Sequence, residues 1–126
     1  MDWSNRRVLI TGGAGFLGSH LVERLSAANE VTVYDDLSTG SVGNLESART
    51  EVRLHRASIL QPKKLASALE GQDLVYHLAA VVGVEYYVGD PYEVLNVNVN
   101  GTQNVLKLAF KHQKKVVFGS TSEVYG

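Results

Sequence analysis

Glycines at positions 12, 15 and 18 of the run Thr11-Gly12-Gly13-Ala14-Gly15-Phe16-Leu17-Gly18 give the first chemical signal in this chain. Glycine leaves backbone N–H groups bare, and a helix opening from such a turn adds the positive end of its dipole. Together these suit a phosphate. Gly12 is expected to allow the tight turn, Gly15 the close approach of a pyrophosphate, and Gly18 the close packing of helix on strand. A second signal lies in Val33-Tyr34-Asp35-Asp36, where Asp35 falls 17 residues beyond Gly18. A carboxylate at this place can accept hydrogen bonds from both adenosine ribose hydroxyls, and it repels a 2′-phosphate. No arginine follows closely, so the dinucleotide expected is NAD rather than NADP. Leu37-Ser38-Thr39-Gly40 continues as a turn able to border the adenine ribose. The plainer alternatives are a flexible glycine loop and two aspartates that only open a polar loop.

These residues need strands and helices to hold them. Short apolar runs predict strands at Arg7–Thr11, Glu30–Tyr34, Val52–Arg56, Leu74–Leu78 and Lys115–Ser120. Their lack of clean alternation suits strands covered on both faces, as in a parallel sheet. Helices are predicted at Gly15–Ala28, where Leu17, Leu21 and Leu25 recur, near Lys63–Leu69, and from Pro91 to about His112, with a shorter turn around Gly43–Ala48. The segment Asn96-Val97-Asn98-Val99-Asn100-Gly101 alternates like a strand ending in a hairpin turn. The wider spacing of Leu95, Val99, Thr102, Leu106 and Phe110 is helical, and Asp90-Pro91 with Glu93 forms a helix start. Helix is therefore expected there, although asparagine is a poor helix former and needs a reason. The alternation of strand and helix argues for an α/β doubly wound parallel sheet.

The chain has 126 residues, one domain's length, with 44% hydrophobic and 20% charged residues. Its net charge of −1 comes from 12 basic and 13 acidic residues without a basic stripe, so a nucleic-acid surface is not expected. No cysteine is present, which removes disulfides, thiolate metal sites and cysteine nucleophiles. No stretch has membrane-spanning length or the form of a signal peptide, and a cytoplasmic location is expected. Histidines at 20, 55, 77 and 112 lack metal-ligand spacing, so structural roles are expected for His20 and His77.

Five motifs occur in order: Thr11–Gly18 with Ser19-His20-Leu21, the run Tyr34–Gly40, His77-Leu78-Ala79-Ala80, Asn98-Val99-Asn100-Gly101-Thr102, and Gly119-Ser120-Thr121-Ser122-Glu123-Val124-Tyr125-Gly126. Together they resemble the N-terminal half of an extended short-chain dehydrogenase/reductase, and more narrowly the NAD-dependent nucleotide-sugar epimerase/dehydratase family. The resemblance implies a partial Rossmann-type domain over residues 1–126, with strands in the order 3-2-1-4-5. It places Gly12, Gly15, Phe16 and Leu17 at the pyrophosphate turn, Asp35 on the ribose, and Leu78, Ala79 and Ala80 beside the bridging region of NAD. It makes Asn98 the helix asparagine that supports the site. Thr121 would hydrogen-bond the sugar hydroxyl or keto oxygen, and Glu123 would assist proton transfer. Thr121-Ser122-Glu123 is most similar to the 4,6-dehydratases and UDP-glucuronate decarboxylases, and Tyr87 matches a substrate-side tyrosine of the decarboxylases. Neither residue excludes an epimerase.

Two departures from that family stand out. Relatives carry an acidic residue after the third strand, whereas Ala57-Ser58-Ile59 offers only the Ser58 hydroxyl to adenine. No tyrosine here has a lysine four residues later, so the family's Tyr-x-x-x-Lys acid/base pair is absent from these residues. The expectation is the NAD-binding portion of an enzyme that oxidises a nucleoside-diphosphate sugar, of the UDP-sugar class, to a 4-keto intermediate, without turnover by this chain alone. The alternative is a stand-alone NAD-binding or assembly module. Self-association is also expected, through the apolar edge at Lys115–Ser120.

Overall fold

Short runs centred on valine, leucine and isoleucine form a parallel sheet in a computed structural model that describes residues 3–48 and 51–125, with the side chains of Ser122 and Glu123 outside the description. The strands are β1 (Arg7–Thr11), β2 (Glu30–Asp35), β3 (Arg53–Arg56), β4 (Leu74–His77) and β5 (Lys115–Phe118). Their order is β3-β2-β1-β4-β5, with every neighbouring pair parallel. This is the expected α/β, Rossmann-type order. Register places Leu9 between Thr32 of β2 and Val75 of β4. β5 is shorter than expected, ending at Phe118.

Alternate residues of β1 point to opposite sides, so two cores form. Leu9, Tyr34, Val75, Leu65, Leu69 and Val105 pack on the side of α2 (Pro62–Leu69) and the later helix α5 (Thr102–Lys111). Val8, Ile10, Val31, Val33 and Val22 pack on the side of α1 (Phe16–Ser26). The sheet is thus covered on both faces, which accounts for strands that lack a polar face.

The region after β4 differs from expectation. A helix, α3 (Val84–Gly89), occupies a stretch in which none was predicted. Its six residues include Val84, Tyr86, Tyr87 and Val88, types that favour strands, and Gly83 before it has φ 128 and supplies no side-chain cap. The predicted Pro91–His112 helix forms as three consecutive pieces. These are α4 (Pro91–Leu95), a π-helical segment at Asn96–Gly101, and α5. Asp90 caps α4 through its Oδ1, which accepts the Glu93 N–H at 3.0 Å, and Pro91 stands in the first turn. The hairpin alternative for Asn96–Gly101 is therefore excluded.

The helical stripe predicted on this long helix exists but, apart from the half-buried Thr102, faces outward. Leu95, Val99, Leu106 and Phe110 are exposed, while Val94, Gly101, Val105 and Ala109 are the buried positions. Likewise, Leu17 is exposed on α1, whose buried residues are Gly18, Ser19, Val22 and Ser26. Small residues face the sheet because they allow helix and sheet to approach closely.

Candidate functional site

Strand β1 ends at Thr11, and the chain must reverse at once to start α1 on the same side. Gly12 makes this possible with φ 71, a left-handed conformation that residues with a Cβ adopt at a cost. A Cβ on Gly12 would also stand 2.7 Å from the Ala79 nitrogen, so the turn lies directly against the loop after β4. A Cβ on Gly18 would run into the Gly12 carbonyl oxygen, so α1 is held closely against its own turn. At Gly15 a Cβ would meet only that same oxygen, at 3.3 Å, and would otherwise project into open space.

That space is a cleft of about 420 Å³ at the carboxyl ends of the strands. It lies where the strand order reverses between β1 and β4, the position at which open α/β sheets bind ligands. Gly12, Gly15, Phe16, Leu17 and Gly18 line one part of it, and Leu78, Ala79 and Ala80 another. Gly15 offers no side-chain cap to α1, and its first turn holds no acidic residue. The first i→i−4 bond of the helix runs from Ser19 N–H to Gly15 O, which leaves the amides of Phe16, Leu17 and Gly18 at the open end of the dipole. No lysine or arginine is found among the described residues of the lining. An anionic group at this end of the cleft would meet the amides of Phe16, Leu17 and Gly18.

The opposite end of the cleft is acidic. Asp35, at the end of β2, has both carboxylate oxygens engaged. Oδ2 accepts the Ala14 N–H at 2.9 Å, and Oδ1 accepts the Leu37 N–H at 2.8 Å. Each oxygen keeps a lone pair for a further donor. Leu37 is held at φ 62, an unusual conformation for a residue with a side chain. Asp36 also lines the cleft, and its Oδ1 accepts the Ser38 N–H at 2.9 Å. Ser38 and Thr39 complete this rim, as the sequence suggested for the turn at Leu37–Gly40. Tyr34 reaches from β2 to donate its hydroxyl to the Ser58 carbonyl at 3.0 Å. Burial, and secondarily the Asp36 carboxylate, pushes this phenol up to about 12, so it stays protonated. Ser58 lines the cleft beside Ala57 and Ile59, and its Oγ accepts the Leu60 N–H at 3.2 Å.

Asn98 stands behind the cleft rather than in it. Its Oδ1 accepts the Val81 N–H at 2.8 Å and its Nδ2 donates to the Val81 carbonyl at 2.9 Å. One amide side chain thereby fixes both backbone groups of a lining residue. This supplies the reason for asparagine in a helix. Asn104, farther along, likewise donates to the Ile59 carbonyl at 3.0 Å.

Two further expected residues, Tyr87 and Thr121, are not brought into the cleft. Tyr87 lies half-exposed on α3, and its neighbour Tyr86 lines the cleft instead. Thr121 is exposed beyond β5 and is not among the lining residues, while the Glu123 side chain lies outside the described residues. Val81, Val82, Tyr86, Glu93 and Val97 line the cleft without having been picked out for it. The signal that could have found them is topological, since the loops after β1 and β4 must flank the reversal point. Among the described residues no histidine or carboxylate cluster could hold a metal ion, and no helix is long and apolar enough to cross a membrane.

Bare helix amides at one end and a carboxylate pair at the other fit a dinucleotide with a diphosphate bridge and a free 2′-hydroxyl. Comparison with known proteins agrees. The family model described as "NAD dependent epimerase/dehydratase family" matches residues 8–126. A UDP-N-acetyl-alpha-D-glucosaminuronate decarboxylase of Bacillus cytotoxicus is 41% identical over 122 residues, covering 96% of this chain and 38% of that relative. Among solved structures, a UDP-N-acetylglucosamine 4-epimerase from Methanobrevibacter ruminantium, in complex with UDP-N-acetylmuramic acid, superposes with a TM-score of 0.88 at 33% identity, over 98% of this chain and 40% of that one. The UDP-glucose 4-epimerase of Thermus thermophilus, solved in complex with NAD, gives 0.82 at 38% identity, over 91% and 37%. The chain thus spans about two fifths of the length of the relatives it matches. Fold, cleft and family match agree, and the chain belongs to the NAD dependent epimerase/dehydratase family.

Proposed function

We propose that this chain is the NAD+-binding part of an enzyme that modifies a nucleoside-diphosphate sugar through a 4-keto intermediate, with UDP-sugars as the substrate class. The observation that carries the reading is the uncapped start of α1, which opens on the same cleft as the Asp35 carboxylate. In this reading the amides of Phe16, Leu17 and Gly18 hold the diphosphate, with Gly12 and Gly15 leaving room for it. Asp35 holds the adenosine ribose, and Ser58 borders the adenine. Leu78, Ala79 and Ala80 wall the bridging region and exclude water, with Asn98 fixing the loop behind them.

NAD+, when bound, supplies hydride acceptance from the sugar. Thr121 would hydrogen-bond the sugar oxygen, Glu123 would move a proton beside it, and Tyr87 would contact substrate. UDP-sugars are suggested by the names of the relatives, a UDP-N-acetyl-alpha-D-glucosaminuronate decarboxylase and, from Thermus, a UDP-glucose 4-epimerase. The 126 residues hold no tyrosine followed four places later by lysine, so a proton acceptor of that kind is not supplied by this chain.

Calorimetric titration tests the first claim. Saturable binding of NAD+, with NADP+ binding much more weakly, is expected. A chain that binds neither, or both equally, removes the proposal.

A further inference from the structure

We infer, resting on the reading of the cleft as an NAD+ site, that His77 is a positioning residue: as the neutral Nε2–H tautomer it aims the Thr11 hydroxyl so that Thr11 Oγ1 holds the Leu78 and Ala79 amides in the cleft wall. His77 is 1% exposed at the end of β4. Its Nδ1 lies 2.7 Å from Thr11 Oγ1 on β1, and its Nε2 lies 2.9 Å from Thr102 Oγ1 on α5. The Phe118 ring of β5 covers it, with centroids 5.6 Å apart. One imidazole therefore joins three strands and the helix beneath them.

The tautomer follows from the capacity of a hydroxyl. Thr11 Oγ1 accepts the Leu78 N–H at 3.2 Å and the Ala79 N–H at 3.3 Å. The Leu78 N–H is shared with the Thr11 carbonyl, at 3.1 Å. A hydroxyl has two acceptor lone pairs and one donor hydrogen. With both lone pairs taken by amides, the Thr11 O–H must donate, and His77 Nδ1 is the acceptor at hand. That nitrogen is then bare, so the ring hydrogen is on Nε2 and is donated to Thr102. Burial, which drives the ring's pKa down to about 4, keeps it in this neutral form.

The alternative tautomer fails on the same count. A hydrogen on Nδ1 would present Thr11 Oγ1 with three donors for two lone pairs, so the Leu78 N–H would be left with the Thr11 carbonyl alone and the buried Thr11 O–H would lose its acceptor. The Ala79 amide, held by Thr11 Oγ1, is also the one against which Gly12 packs, since a Cβ at Gly12 would press on the Ala79 nitrogen and α-carbon. The turn and the wall are thus registered on each other through Thr11 and His77, although neither side chain lines the cleft.

The test begins with long-range 1H–15N spectra of the labelled 126-residue chain, which read the tautomer directly. Nε2–H is expected, and Nδ1–H or a mixture overturns the inference. Thr11→Val and Thr11→Ser then separate shape from the hydroxyl. Valine is expected to speed hydrogen exchange at Ala79 and weaken NAD+ binding, each by about tenfold, and serine to restore both. Valine with unchanged exchange at Ala79 also overturns it. If the variants fail to fold, the wild-type spectrum alone decides. A wild-type chain that binds no NAD+ refutes the cleft reading instead, and the tautomer and the exchange at Ala79 then judge the His77 latch by themselves.

Discussion

The Asp35 carboxylate receives the Ala14 N–H at 2.9 Å, tying the end of β2 to the glycine turn after β1. The residue read from sequence as a ligand for ribose is therefore also a brace for the loop that meets the diphosphate. Removing it should act on both. Asp35→Ala is expected to lower unfolding free energy by about 1–3 kcal/mol, because a buried amide loses its acceptor. It is also expected to weaken NAD+ binding. Denaturant titration and calorimetry on the same protein check this, and unchanged values in both would remove Asp35 from either role.

Glycine positions should respond unequally to alanine. Gly12→Ala must adopt φ 71 and place a methyl 2.7 Å from a backbone nitrogen, so a loss of about 2 kcal/mol or more is expected. At Gly89, in α3, a Cβ would meet nothing within 4 Å. Gly89→Ala should be stabilising by about 0.5 kcal/mol through the unfolded chain's lost freedom. Thermal melts of the two proteins compare them, and a neutral Gly12→Ala would contradict the packing described.

Acid stability should carry the signature of His77. Burial lowers its pKa from 6.5 to about 4. Between these values the unfolded chain binds a proton that the folded one does not, so stability rises with pH across that window. The contribution is complete above about 6.5, declines as pH falls, and levels off below about 4, amounting to about 3 kcal/mol. Asp73 lies outside this window, because hydrogen bonding from the Arg7 amide lowers a carboxyl whose ordinary value is 3.8. Denaturation midpoints at a series of pH values, with His77→Leu for comparison, should show a slope that the variant flattens.

Strand β5 pairs with β4 on one side only within this sheet, and Val117 and Phe118 are exposed along it. Such an edge can template another strand. We expect the 126-residue chain to self-associate with rising concentration, and Val117→Lys to reduce this by placing a charge on the edge. Sedimentation velocity over a concentration series gives the answer. A wild-type monomer throughout would rule the edge out as an interface.

The sheet was legible because its strands are short apolar runs bounded by glycine or charge, as at Val8-Leu9-Ile10. The parallel order was legible only through the motifs, since periodicity does not say which strand lies beside which. The phosphate turn could be read because glycine spacing is a backbone requirement and leaves a mark in sequence. The wall could not be read to the same depth. Tyr86 and Tyr87 are the same residue type side by side, and only the placement of α3 decides which lines the cleft. The apolar stripe Leu95, Val99, Leu106 and Phe110 identified a helix correctly but gave its outward face. Both faces of that helix are apolar, and the smaller residues lie inward, so periodicity alone could not choose between them.

The π-helical segment at Asn96–Gly101 gives the long helix a one-residue surplus over an α-helix of equal rise. Deleting a residue there would restore ordinary i→i−4 bonding, a gain in regularity. It would also redirect the side chains inside the segment, by up to about 100° for a shift of one position. Asn98 or the loop it holds at Val81 would then have to let go. This stretch should thus tolerate changes of side chain at Asn96 or Asn100 better than any change of count. Length, more than composition, is what it has to keep.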